Sequence, residues 1–237
     1  MPVTCLTSSN DRLISFDFTS EDWNDLKANY VALGLHMKCC GAPAIPKTSK
    51  LGTQFFSHKT DACGVGKESI EHIRCKELIV KGGRAAGWQA NPEEPGKDAS
   101  QNAWIADVLC VKNTEKIAFE VQLASQTFPE YKRRTERYDN SGVSCLWLIR
   151  KVRRHPIAEQ MILDRINSRN RKDVFDHHPD REDMPVFQVD VTDLDNIFVF
   201  FPWHHGKGPF QISLDDFTRG VLSGKMSFID GRWCWDA

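Results

Sequence analysis

The sequence predicts an α/β protein. Two apolar runs, residues 103–111 and 116–124, have strand character and are parted by the turn-like Lys112-Asn113-Thr114. Runs with helical spacing lie on either side of them, and a buried-strand pattern, VSCLWLI at 143–149, closes the series. The predicted order is helix, strand, strand, strand, helix, strand.

The first helix is predicted over SIEHIRCKELIV (69–80), where Ile70, Ile73 and Ile79 sit near helical spacing, Ser69 caps the start and Gly82-Gly83 stops it. His72 and Lys76 are four apart and share one face of this helix, with Glu71 offset by one position. Residues 84–90 form a weaker strand candidate, and Pro92, Pro95 and Gly96 mark a loop. In KIAFEVQLA (116–124), Ile117, Phe119, Val121 and Leu123 point to one side, while Ala118, Glu120, Gln122 and Ala124 point to the other. The alanines leave room beside Glu120 and Gln122. If the two runs pair as a hairpin, Asp107 and Glu120 can converge on one divalent cation, the minimal requirement for metal-assisted phosphodiester hydrolysis. An ionised acid among apolar neighbours is costly to bury unless it is paired or metal-bound. Residues 128–138 then read as a charged amphipathic helix, on which Arg134 and Tyr138 form one stripe and Arg133 and Arg137 a second.

The chain has 237 residues, enough for one main domain with a smaller appendage. Its 31 Lys+Arg balance 32 Asp+Glu, so net charge neither supports nor excludes a nucleic-acid partner. Local charge is more telling: residues 132–172 hold twelve Lys/Arg and four acids, a net +8 able to neutralise several phosphates. The first residues, MPVTCLTSSNDR, lack the apolar core of a signal peptide, so the eight cysteines are expected in a reducing compartment, the cytoplasm. The apolar stretch 197–203 is too short to span a bilayer. No internal repeat points to a solenoid.

From Glu68 to Lys151 the chain resembles the CoiA-like competence nuclease family of the PD-(D/E)xK superfamily. The resemblance runs through Ser69-Ile70-Glu71-His72 and Lys76, Ala106-Asp107-Val108-Leu109, Phe119-Glu120-Val121-Gln122 with Ser125, then Arg134, Tyr138 and Trp147. It implies a restriction-endonuclease-like core, a mixed sheet flanked by helices, in which Asp107 and Glu120 bind Mg²⁺ or Mn²⁺ and water attacks a DNA phosphodiester. Gln122 stands where the superfamily pattern has lysine, as it does in the CoiA-like pattern. Lys76, with His72 and Glu71, is then the candidate for the missing charged role. Arg134, Tyr138, Ser125 and Arg133 are the implied contacts to substrate. Glu93 and Glu94 lie where related nucleases often carry another acid near the metal.

CoiA-like chains often carry a small Cys/His module before the core. Cys39, Cys40, His58 and Cys63 are candidates for a structural Zn²⁺ here, with His36 as a substitute for one of the adjacent cysteines. The expected organisation is an N-terminal module at 1–66, a nuclease-like core at 67–172 and an aromatic-rich extension at 173–237. In the extension, a helix with Leu214, Phe217, Val221 and Leu222 on one face ends at Gly224, and Trp203-His204-His205 reads as an aromatic beside two ordinary histidines. The leading expectation is a metal-dependent deoxyribonuclease. Its alternatives are a non-catalytic DNA-binding or DNA-processing protein that keeps the fold, with Gln122 marking lost chemistry, and a protein-interaction platform.

Overall fold

The computed structural model describes residues 2–59, 68–152, 157, 160–161, 181–201, 210–229 and 231–236. Two compact units are present, 1–77 and 78–237, and the division falls within one helix.

The first unit holds two short antiparallel hairpins. Strands β1 (Thr4–Leu6) and β2 (Arg12–Ile14) form one, and β3 (Ala44–Thr48) and β4 (Gln54–His58) the other. Between them runs α1 (Ser20–Asn29), whose start is capped by Thr19 accepting from the Asp22 backbone N–H. The core is small: Trp23, Leu26, Leu35, Met37, Ala44, Phe56 and Cys5 pack together, and the Trp23 indole N–H reaches Thr48 Oγ1 at 3.1 Å.

Helix α2 (Ile70–Ala85) starts at Ser69, whose Oγ accepts from the His72 N–H at 3.3 Å. It does not stop at Gly82-Gly83. A Cβ on Gly82 would sit 2.7 Å from the Asp215 carbonyl oxygen, and one on Gly83 2.8 Å from Ala90 Cβ. The two glycines are therefore where the helix is approached closely, and the chain turns only at Gly87, with φ of 76°. Residues 84 and 85 accordingly remain helical, and the strand expected at 84–90 begins at Gln89.

The second unit is built on a seven-stranded mixed sheet in the order β11-β10-β9-β8-β7-β6-β5. Strand β5 (Gln89–Lys97) contains Pro92, Pro95 and Gly96, so the loop expected there is a strand. It is an edge strand, where the N–H that proline lacks need not enter a ladder. Strands β6 (Ala103–Lys112) and β7 (Glu115–Gln122) form the anticipated antiparallel hairpin. Helix α3 (Phe128–Asp139) then crosses over to β8 (Ser144–Arg150), which pairs parallel with β7, as such a connection requires.

The sheet continues past the expected core through β9 (Val186–Asp190), β10 (Phe198–Phe201) and β11 (Phe210–Ser213). Helix α4 (Leu214–Leu222), capped by Ser213, follows and packs Phe217 on Phe187, 5.2 Å between ring centroids. The hairpin of β12 (Met226–Ile229) and β13 (Arg232–Trp235) brings Trp235 onto Phe217, stacked at 5.9 Å.

On the opposite sheet face, α3 buries Phe128, Tyr131, Thr135 and Tyr138, spaced 3-4-3 along one helical stripe. Trp147 of β8 is their anchor: its indole donates to Thr135 Oγ1 at 3.0 Å and meets the Tyr131 ring edge-on at 4.7 Å. Among the described residues no helix is long and apolar enough to cross a membrane.

Candidate active site and Cys/His cluster

The hairpin of β6 and β7 opens where the acids lie. Its paired register ends at Val108 and Phe119, one step before Asp107 and Glu120 would face each other. Beyond that step the Val121 N–H donates to the Asp107 side chain, 2.8 Å to Oδ2, so a carboxylate takes the place of a ladder carbonyl. Strand β7 stays paired with β8 as far as Gln122 and Ile149. Asp107 thus sits at a fork in the sheet. On its other side the register with β5 passes from Pro92 to Glu94, and Glu93, level with Asp107, has the left-handed φ of 52°.

Glu120 is only 1% exposed and faces α3. Arg134 Nη2 donates to its Oε2 at 2.5 Å, and the Tyr138 hydroxyl donates to its Oε1. The Arg134 guanidinium also lies over the Trp147 ring, 4.7 Å from the centroid, and reaches Gln122 Oε1 at 3.5 Å and Gln126 Oε1 at 3.4 Å. Gln122 in turn donates from Nε2 to the Ala124 carbonyl at 3.0 Å. Burial, and after it the charge of Asp107, pushes the Glu120 carboxyl up to about 8, against the pull of Arg134 and Tyr138. The Tyr138 hydroxyl is held protonated by burial and by the Glu120 charge.

Arg133, the neighbour of Arg134 in sequence, lies on the exposed side of α3 and pairs with Glu130 through Nε at 2.7 Å and through Nη2. Ser125 is exposed in the connection between β7 and α3.

In the first unit, Lys76 is fully buried, with Nζ 2.7 Å from Glu68 Oε2. Glu68, His72 and Lys76 follow at four-residue intervals, with Glu68 just ahead of the start of α2. Glu68 was not singled out by sequence reasoning; its signal was that spacing. Glu71 is half-buried and off this stripe.

The first unit also gathers Cys39, Cys40 and His58. Cys39 Sγ lies 3.2 Å from His58 Nε2 and 3.8 Å from Cys40 Sγ, and the three ligand atoms fall within 4.8 Å of one another. Thiolates around a tetrahedral Zn²⁺ at its usual bond lengths are separated by roughly 3.8 Å, so the adjacent cysteines fit one ion. Cys63 lies outside the described residues, as do Trp203, His204, His205 and most of the basic stretch beyond Val152. His36 is not part of the group; its Nδ1 faces the Gly34 carbonyl at 3.3 Å. Among the described cysteines none is in a disulfide.

The family described as "Competence protein CoiA, nuclease-like domain" matches residues 68–199, more than half of the chain. The chain belongs to this family. The match begins at Glu68, the acid just ahead of α2, and ends within β10, so the CoiA nuclease-like domain takes in both Asp107 and Glu120 and the sheet as far as β10. Comparison with curated proteins gives no match.

Proposed function

We propose that the chain is a divalent-metal-dependent nuclease that hydrolyses DNA phosphodiester bonds, with a restriction-endonuclease-like core. The observation that carries the reading is the pair Asp107 and Glu120 at the sheet fork, where burial, and after it the charge of Asp107, pushes the Glu120 carboxyl up to about 8. A fold gains nothing in stability from burying like charges, and such perturbed acids mark functional sites. In this reading Asp107 is the principal ligand of Mg²⁺ or Mn²⁺, with Glu120 beside it. Carboxylate oxygens are the donors that suit such a hard cation. A cation held there supplies the positive charge that screens phosphate oxygens and makes water a nucleophile at neutral pH.

The chain's own groups have distinct parts. Arg134 and Tyr138 hold Glu120 in one orientation, and Arg134 offers further N–H donors to a phosphate oxygen once a cation engages the acid. Gln122, standing where the superfamily has lysine, is neutral and tied into the Arg134 network, so the charged role falls to Lys76. Ser125, Arg133 and Glu71 are supporting contacts. The 67–172 core preceded by a 1–66 module and followed by a 173–237 extension remains our reading of the domain organisation. In the module, Cys39, Cys40 and His58 hold a structural Zn²⁺, with Cys63 as the fourth ligand.

A second reading has one observation in its favour: both Glu120 oxygens are already engaged, by Arg134 and by Tyr138. A protein that kept the fold to bind DNA without cutting it would also satisfy its buried acid in this way. Cleavage of single- and double-stranded DNA by the purified chain with Mg²⁺ or Mn²⁺ decides between them. The nuclease reading expects cutting that Asp107→Ala and Glu120→Gln each reduce by at least about a hundredfold while the fold is retained. DNA binding without cutting under either metal would leave the accessory reading.

A further inference from the structure

On the outer side of the Arg134–Tyr138 pair lies a groove of about 440 Å³. One wall is α3, which presents Arg133, Arg134 and Arg137; the other is the start of β6, with Trp104 and Ile105. Among the described residues the only acid of the lining is Glu130, so three guanidiniums face one carboxylate. Glu130 is bound to Arg133 in an exposed forked pair, the kind that contributes little and yields to a competing anion. Arg137 uses Nη1 on the Ala103 carbonyl at 3.4 Å, one of its five donors.

The apolar wall is as distinctive as the basic one. Ile105 is 59% exposed, although Ala106, next to it in the strand, is fully buried. Trp104 is fixed rather than loose: its indole N–H donates to Ser141 Oγ at 2.8 Å, its ring lies 4.8 Å from the Tyr138 ring, and Gly96 leaves it room on the facing strand. A basic wall opposite a rigid apolar wall, with a volume in the range of small-molecule sites, matches one nucleotide: phosphate on the arginines, base on Ile105 and the Trp104 edge.

We propose that this groove is a subsite for one nucleotide of an unpaired DNA strand, adjoining the scissile phosphate. The inference rests on the nuclease reading and deepens it by naming the form of the substrate. Adjacency follows from shared residues, since Arg134 and Tyr138 line the groove and also bond Glu120. An unpaired strand follows from the apolar wall: a base stacked and paired within a duplex offers no face to Ile105, whereas a splayed base does.

The test is fluorescence anisotropy in EDTA, where no metal-dependent cutting occurs, with a labelled oligothymidylate and a labelled hairpin duplex. Wild type is compared with Ile105→Glu, an exposed position, and with Arg137→Gln. The subsite requires that Ile105→Glu weaken single-strand binding about tenfold, the size of one lost base contact, while duplex binding changes less than threefold. It also requires that Arg137→Gln lower the slope of log affinity against log salt by about 0.7, one phosphate contact on a single strand. Single-strand binding unchanged by both variants, equal loss on both probes, or no binding of either probe by wild type would overturn it. Cutting of the same oligothymidylate in Mg²⁺ is scored separately. Cutting with groove-independent binding sinks the subsite alone, and groove-dependent binding without cutting sinks the nuclease chemistry alone.

Discussion

Glu120 shows how one residue can link stability to function. Its carboxyl is pushed from 4.5 to about 8, so the folded chain holds a proton that the unfolded chain releases. The sign follows directly: this group's contribution to stability is complete below about pH 4.5 and is lost as pH rises through about 8. Metal-free protein should accordingly show a urea midpoint that falls between pH 5 and pH 8.5, with the fall largely abolished in Glu120→Gln, which carries no titrating group. A cation bound beside Asp107 replaces that proton, so affinity for Mn²⁺ should climb by up to about tenfold per pH unit below pH 8 and level off above it. Calorimetry in two buffers of different ionisation enthalpy would read the released proton. A pH-independent urea midpoint, or the same decline in Glu120→Gln, would contradict the buried-acid account.

Elements are where sequence reasoning and structure part company. The strands carrying Asp107 and Glu120 were legible because alternation over KIAFEVQLA fixes a face, and the four-residue pairs on α2 and α3 were legible for the same geometric reason. What misled was punctuation. Pro92 and Pro95 read as a loop, yet β5 is a sheet edge, where prolines cost no ladder bond. Gly82-Gly83 read as a helix stop, yet they lie inside α2, where α4 and β5 press against it. A pair of glycines in sequence cannot show whether it ends a helix or admits a neighbour; only the partner's position decides. The packing account makes a prediction opposite to helix propensity. Alanine in a helix interior is worth about 1 kcal/mol over glycine, but Gly82→Ala would drive a Cβ to 2.7 Å from the Asp215 carbonyl oxygen. Backbone cannot yield as a side chain tip can, so the variant should lose about 1–3 kcal/mol in urea denaturation. A gain in stability would mean that the close approach is not needed.

At the scale of the whole molecule, the two units rest on unequal cores. The second has a seven-stranded sheet covered on both faces, whereas the first packs a short list of side chains around Trp23 and Phe56 between two hairpins. Small units with such cores are commonly held by a metal or by disulfides, and no disulfide is present among the described cysteines. The thiols and imidazole of Cys39, Cys40 and His58 lie at ligand spacing between the turn after α1 and the end of β4, so an ion there would tie the second hairpin to the segment leading into it. This arrangement was only half legible, since adjacent cysteines do not announce a knuckle and no periodicity marks the hairpins. Stripping metal with a strong chelator should therefore speed amide exchange in β3 and β4 by at least about tenfold while exchange in β6, β7 and β8 stays unchanged. Added Zn²⁺ should restore protection, and Cys39→Ser should behave as the stripped protein does with or without the ion. Equal loosening of the central sheet would show that the chelator acts through the acids at the fork instead, and unchanged exchange in β3 and β4 would mean that the first unit stands on its apolar core alone.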